Sequence, residues 1–298
     1  MESRPCPVCG TPATAPATLE ARADPAALDS FAFAARKIPE YMHHRLVECP
    51  RCELLYADPA PSEGAVLAAY AEADYDTAEE SSYAAATYAK LLRRLLPRLP
   101  TEGGALDIGA GDGAFVRELL DAGVSGAMGV EPSPAPISTA DPDVAARIRQ
   151  GAFRPEDFEP ASMRLVTCFQ TIEHVRDPLD LCRGALELLR PGGALMIICH
   201  DRRAPVNRAL GTRSPIYDLE HLQLFSSTSL HALYEEAGFR GIESRRIVNR
   251  YALRYWARLF PLPRPVKVQL LRALAGAVGA VPVTLPVGNL AAVGYRTG

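Results

Sequence analysis

The sequence predicts an α/β chain: a doubly wound, mostly parallel sheet preceded by a small cysteine-bearing module. Three observations carry that expectation. From Ala105 onward, short apolar runs alternate with helical patterns, as βαβ units and a parallel sheet require. The glycine-rich run Gly109-Ala110-Gly111-Asp112-Gly113 stands where the first apolar run gives way to a helical pattern. Two C-x-x-C pairs, Cys6/Cys9 and Cys49/Cys52, precede all of this. At about 150 residues per domain, 298 residues suit one large domain with a smaller companion. A hydrophobic share of 48% with 22% charged residues excludes a disordered or fibrous chain. The net charge of −3 leaves no global basic field to draw in nucleic acid.

Taken in order, residues 1–58 hold the cysteine pairs and are Pro/Ala-rich with weak periodicity. Residues 59–100 read as a helical linker. The turn Asp58-Pro59-Ala60-Pro61 leads to Ser62, an N-cap for a helix from Glu63 to Tyr70, and a longer helix runs from about Ser81 to Leu96 until Pro97 and Pro100 stop it. Residues 101–248 carry strand candidates at Ala105–Ile108, Ala127–Val130, Arg147–Gln150, Leu165–Phe169 and Ala194–Cys199. The helices between them are Ala114–Ala122, a poor one near Pro134–Ala140, and Pro178–Leu189. A long polar loop then covers Arg202–Leu219, a helix from about Thr228 to Ala237 ends at Gly238, and a strand covers roughly Gly241–Val248. Residues 249–298 form a C-terminal extension ending on a final strand, Leu290–Tyr295.

Residues 273–295 carry no charge, but Pro282 and Pro286 interrupt them and Ala and Gly dominate, which argues against a membrane span. Ahead of them, Arg250, Arg254, Arg258, Arg264, Lys267 and Arg272 interleave with Tyr251, Tyr255, Trp256 and Phe260. Such a stretch suits a peripheral membrane contact or the cover of a substrate pocket; the plainer reading is a solvated helix packed on the domain.

No charged start, apolar run and small-residue cleavage site opens the chain, so no signal peptide is expected. Together with reduced, paired cysteines this is a cytoplasmic pattern, in which C-x-x-C reads as metal before disulfide. Two thiolates on one tight turn bind a tetrahedral ion, and two such turns close a four-cysteine site, so Cys6, Cys9, Cys49 and Cys52 are expected to hold structural zinc. The 39 residues between Cys9 and Cys49 require a folded insertion, and Glu53 stands where the second turn would favour glycine. Cys168, Cys182 and Cys199 read as core residues.

In the glycine-rich run, small residues let the chain turn tightly and let a ligand approach the main chain, with the next helix presenting its N–H groups to the same ligand. Gly109-x-Gly111-x-x-Ala114 also fits a dinucleotide fingerprint. Three details separate the readings. Asp107 precedes the first glycine by two residues, where a carboxylate repels a pyrophosphate and suits the ammonium of an amino-acid-like ligand. Glycines at 109, 111 and 113 follow G-x-G-x-G spacing. Glu131 ends the next strand, where a carboxylate takes both hydroxyls of a ribose.

On these residues the sequence resembles class I S-adenosylmethionine-dependent methyltransferases, over roughly residues 100–245, and the sheet is expected to be Rossmann-like. Thr171-Ile172-Glu173-His174-Val175 with Asp177-Pro178, Leu189-Arg190-Pro191-Gly192-Gly193, and Glu220-His221-Leu222 leading to Phe225-Ser226 add to the resemblance. It implies that Asp107, Gly109, Gly111, Gly113, Glu131, Phe153 and Gln170 bind the donor. Arg164 stands where relatives commonly carry Asp, and Gly151-Ala152-Phe153 where many carry an acid for the adenine amine, so backbone groups or the Phe153 ring take that contact. The cysteine module, followed by Leu54-Leu55-Tyr56 and Pro59-x-Pro61, resembles the zinc modules of some methyltransferases, sugar C-methyltransferases of antibiotic pathways among them. The implied reaction is methylation of oxygen, nitrogen or carbon, in that order, on a small-molecule acceptor of natural-product or envelope sugar/lipid biosynthesis. A non-catalytic donor-binding scaffold and a nicotinamide oxidoreductase are the alternatives. In-line transfer requires positioning and often a base; His174 and His221 are the candidates, with His200 a third, and Glu173 an orienting group.

Overall fold

The computed structural model describes residues 1–13, 16–23, 41–75 and 78–298. Two short strands, β1 (Leu46–Glu48) and β2 (Leu55–Ala57), are followed by helices α1 (Glu63–Glu72) and α2 (Ala78–Leu95). The alternating part runs β3 (Gly104–Ile108), α3 (Ala114–Asp121), β4 (Ala127–Glu131), α4 (Pro134–Thr139), α5 (Pro142–Ala145), β5 (Ile148–Gln150), β6 (Met163–Phe169), α6 (Pro178–Leu188) and β7 (Leu189–His200). The C-terminal part adds α7 (Pro205–Leu210), β8 (Gln223–Leu224), α8 (Ser227–Ala237), β9 (Arg240–Ala252), α9 (Leu253–Leu259), α10 (Arg264–Ala273) and β10 (Pro282–Tyr295).

Seven strands form one sheet in the order β5-β4-β3-β6-β7-β10-β9. The first five are parallel, and β10 lies antiparallel between β7 and β9. Side chains alternate across it, as a pleated strand dictates. Leu195, Ile197 and Cys199 of β7 face a layer built by α6 and α8, where Leu181, Cys182, Leu230 and Tyr234 pack. Ala194, Met196 and Ile198 face the other layer, with Tyr88 and Leu92 of α2 and Phe115, Val116 and Leu119 of α3. Both faces are covered, which is why the strands read as continuous apolar runs. The α/β doubly wound architecture expected from the sequence is present. Cys168, Cys182 and Cys199 are all fully buried in the first layer.

Among the elements that differ from the sequence reading are α7, β9 and β10. The loop 202–219 contains α7, which opens on Pro205, a residue whose fixed φ suits a first helical turn. Asn207 is buried and ties that helix down, donating to the Asp201 carbonyl and accepting from the Ser214 hydroxyl. The last two strands are longer than expected, Arg240–Ala252 and Pro282–Tyr295, because they pair with each other along their length. Pro282 opens its strand and Pro286 falls in the irregularity between Leu285 and Asn289, two places where a missing N–H costs no ladder bond.

The N-terminal strands do not stand apart. β2 lies between β1 and β8 in a second sheet, so the cysteine-bearing segment shares a sheet with residues 223–224. Of the expected insertion, Leu19 bridges Leu46 and Arg22 bridges His43; residues 24–40 lie outside the described residues.

Candidate functional site

The cysteine pairs converge. Cys6 Sγ is 3.5 Å from Cys52 Sγ and Cys9 Sγ is 3.5 Å from Cys49 Sγ, with all four sulfurs within 4.8 Å of one another. A tetrahedral zinc with Zn–S near 2.3 Å sets its sulfurs about 3.8 Å apart, so the donor set fits. Each pair sits on a turn closed by a backbone bond, Gly10 N–H to Cys6 O at 2.9 Å and Glu53 N–H to Cys49 O at 3.0 Å. The residue after each turn is left-handed. Gly10 takes φ 67° freely, and Glu53 adopts φ 61° where glycine would be unstrained. The hydrogen bond with Cys52 lowers the pKa of the Cys6 thiol, and the same contact pushes that of Cys52 up.

This cluster is continuous with the main core, since Cys6, Val8, Cys49, Leu54 and Tyr56 share an apolar cluster with Leu106 and Ile197. Arg4 fixes it further. Its buried guanidinium donates to the carbonyls of Ala57, Arg176 and Leu222 and to Gln223 Oε1. Gln223 in turn donates to the carbonyls of Ile172 and Val175. The cysteine module therefore anchors the two loops that carry His174 and His221. Cys49→Ser, or treatment with a strong chelator, is expected to release zinc found by elemental analysis and to lower the melting temperature by roughly 10 °C. A protein that carries no zinc as purified and melts unchanged after chelation would remove the metal assignment.

A cavity of about 990 Å³ opens at the C-terminal edge of β3, β4, β6 and β7. On one side lie the two carboxylates. Asp107, 3% exposed, accepts a 2.6 Å hydrogen bond from Thr167 Oγ1, and burial raises its pKa to about 7. Glu131 is gripped by backbone: Gly111 N–H donates to Oε2 at 2.9 Å and Ser133 N–H to Oε1 at 2.8 Å. Burial nevertheless raises its pKa. The turn between them needs glycine. At Gly109 (φ 78°) a Cβ would lie 2.2 Å from Thr171 Oγ1, whereas at Gly111 (φ 56°) it would meet nothing within 4 Å. Gly113 does not line the cavity; it caps α3 at φ 74°, with Val144 where its Cβ would be. Phe153 lines the cavity stacked on Phe158, and Gln170 lines it in a left-handed conformation (φ 53°). The Gln170 Nε2 is buried without a hydrogen-bond partner among the described residues.

Across the cavity three histidines meet. The rings of His174 and His221 lie 4.8 Å apart and those of His200 and His221 5.3 Å apart. His221 Nδ1 is 2.8 Å from the Ile216 carbonyl, which can only accept, so the neutral ring carries its lone pair on Nε2. His200 Nδ1 meets Asn289 Oδ1 at 2.9 Å, and burial lowers its pKa to about 4. His174 Nδ1 lies 2.5 Å from the Tyr70 hydroxyl and 3.6 Å from Glu220 Oε2. Donor atoms of His174, Glu220 and His221 fall within 4.8 Å of one another. Glu173 stays outside the cavity: its Oε1 accepts the His200 backbone N–H at 2.6 Å, and burial raises its pKa to about 7. His43 and His44 instead bond to backbone carbonyls, of His44 and Leu219.

Several lining residues escaped the sequence reading. Tyr70 comes from α1, with no local signal beyond an aromatic in an alanine-rich helix. Tyr75 donates to Asp112 Oδ2 at 2.8 Å, and Asp112 Oδ1 accepts the Ala114 N–H at the start of α3. Tyr251, Tyr255 and Trp256 did not escape it: they lie on the basic aromatic stretch for which the sequence offered the cover of a substrate pocket as one reading, and they are buried and form the cavity wall. Glu220 was legible only as a neighbour of His221.

Comparison with known proteins now decides the family. A family model described as a methyltransferase domain matches residues 81–244, more than half of the chain. The chain belongs to that methyltransferase-domain family. Among curated proteins, the methyltransferase is 32% identical over 95 residues to the ubiquinone biosynthesis O-methyltransferase of Neisseria meningitidis serogroup A, covering 30% of this chain and 40% of that protein. It is 32% identical over 98 residues to the protein of the same description from Pseudomonas aeruginosa, covering 31% and 42%. The matches thus span about two fifths of those relatives' length. Among solved structures, the YcgJ protein of Bacillus subtilis aligns with a TM-score of 0.52 at 16% identity, over 71% of this chain and 99% of that one, a likeness of fold.

Proposed function

We propose that the chain transfers a methyl group from S-adenosylmethionine to an oxygen of a small-molecule acceptor. The observation that carries this reading is one cavity with two unlike sides, a buried carboxylate–glycine–carboxylate cradle facing a histidine cluster. The cradle fits a sulfonium nucleoside carrying an amino-acid tail. Asp107 offers a carboxylate to an ammonium, and Glu131, already held by two N–H groups, keeps lone pairs for the two hydroxyls of a ribose. Gly111 admits a ligand against the main chain, and the unpartnered Gln170 amide is a donor awaiting an acceptor. When bound, the donor supplies an electrophilic methyl group on positively charged sulfur.

The chain's own residues do the rest. The aromatic wall of Tyr251, Tyr255 and Trp256 excludes water and orients the acceptor. The acceptor proton passes to His221 Nε2, whose tautomer the Ile216 carbonyl sets, while Tyr70 and Glu220 hold His174 beside it. The description of the relatives as O-methyltransferases favours oxygen as the attacking atom.

Calorimetric titration tests the donor. Saturable binding of S-adenosylmethionine and of S-adenosylhomocysteine is expected, with no heat from NAD or NADP. Nicotinamide binding without nucleoside binding would sink the proposal in favour of an oxidoreductase. Donor binding without turnover, on any acceptor tried from neighbouring biosynthetic steps, would favour a scaffold.

A further inference from the structure

The charge of this chain is unevenly distributed. Residues 244–298 hold nine Lys and Arg and no Asp or Glu, although the whole chain is at −3. The same segment carries most of the exposed large apolar side chains: Phe260 is 57% exposed, Val266 50%, Val278 65% and Val281 51%. Helix α10 is unusual among the helices, since none of residues 265–273 is buried. Its main contact with another described element is with α9, where the Lys267 ammonium donates to the Arg258 carbonyl. The side chains of Arg250 and Arg272 make no hydrogen bond or ion pair with a described residue. A solvated surface helix has no need of bare valines, and an ordinary packed helix would bury them.

The position of this patch matters as much as its composition. Phe260 and Leu285 line the cavity and yet are 57% and 37% exposed, so they stand at its mouth, where the cavity meets the basic apolar face. Free cations interleaved with bare aliphatic side chains match a surface that is anionic and apolar at once. A bilayer containing anionic lipid has that character, with headgroup charge over hydrocarbon, whereas an acidic protein surface would meet the arginines and leave the valines unmatched. Among the described residues no helix is long and apolar enough to cross a membrane.

We propose that α9, α10 and the 274–285 segment, with Arg250 paired in register with Thr284 beside them, are a docking face for an anionic bilayer, and that the cavity mouth opens onto it. This rests on the methyl-transfer reading of the cavity and names its acceptor class: an amphiphile whose polar head reaches the histidine cluster while its apolar part leaves past Phe260 and Leu285 into lipid.

Flotation of the full chain with phosphatidylcholine vesicles, with and without phosphatidylglycerol, tests the face independently of catalysis. Wild type is expected to float with anionic vesicles at low salt, to be released by high salt, and to ignore neutral vesicles. Arg250→Glu/Arg272→Glu should weaken partitioning by roughly tenfold or more, and Val266→Ser/Val278→Ser should weaken it as well. Neither pair lines the cavity, so both variants should titrate with S-adenosylmethionine as wild type does. Should one variant fail to fold, the lipid and salt dependence of wild type with the other variant still decides. Failure to float with either vesicle, or flotation indifferent to charge and to the valines, overturns the docking face and leaves the patch to a protein partner. Normal flotation with no nucleoside binding instead overturns the reading of the cavity.

Discussion

Asp107→Asn is expected to melt higher than wild type above pH 7 and to lose the donor. Burial holds the Asp107 carboxyl at about 7 in the folded protein against 3.8 in an exposed chain. A carboxyl whose folded pKa is raised favours the fold while protonated. Its contribution is intact at low pH, is lost as pH climbs from about 4 to 7, and stays lost above that. Asparagine removes the buried charge and keeps an oxygen for the Thr167 hydroxyl, which donates at 2.6 Å. A gain of about 1–3 kcal/mol at pH 8 follows, roughly 5 °C in melting temperature. Donor affinity should fall on the order of a hundredfold or more, because a buried ammonium would lack its counter-charge. Wild-type affinity should also weaken below pH 7 as a proton competes for Asp107, approaching tenfold per pH unit. Calorimetry and thermal melts at pH 6 and pH 8 check both limbs. An asparagine variant that melts lower and binds normally would show that Asp107 is structural.

The second large effect concerns the acceptor side. His221→Ala should reduce kcat by roughly 10²- to 10⁴-fold while leaving donor affinity within a factor of about two, the signature of a lost base. His174→Ala should cost on the order of tenfold, since it releases Tyr70 and Glu220 beside the base. Transfer of labelled methyl in single turnovers measures both variants. If neither loses more than a few-fold, alignment of donor and acceptor suffices and no histidine takes the proton.

The proposed donor side could be proposed from the sequence because its chemistry is local. The Asp107 to Gly113 run and Glu131 lie at strand ends twenty-odd positions apart, and backbone constraints there restrict the residue type. The φ of 78° and the contact with Thr171 leave Gly109 no side chain to add. The cysteine turns were readable for the same reason. The acceptor side was less so, because it is made by packing. Tyr70 reaches His174 from a helix 104 positions earlier, and Trp256 becomes a cavity wall only because β9 and β10 run on past their expected ends. Helix α7 hid in a polar stretch because six residues are too few to show a period. Gly113 shows the limit of spacing as evidence: it follows the glycine pattern, yet serves the helix behind the loop.

The place of β10 in the sheet has a consequence for how the molecule is made. Of the sheet's strands β10 is made after all the others, yet it belongs inside the sheet, and β9 meets no other strand but β10 among the described residues. Until it emerges, β7 presents a raw edge and the preceding strand has nothing to join. Pairings this distant along the chain close slowly. The wall from Asn249 to Trp256 and the rim at Leu285 therefore arrive in a single late event. A nascent chain with the proposed nucleoside cradle already formed remains without an acceptor compartment until β10 has been made.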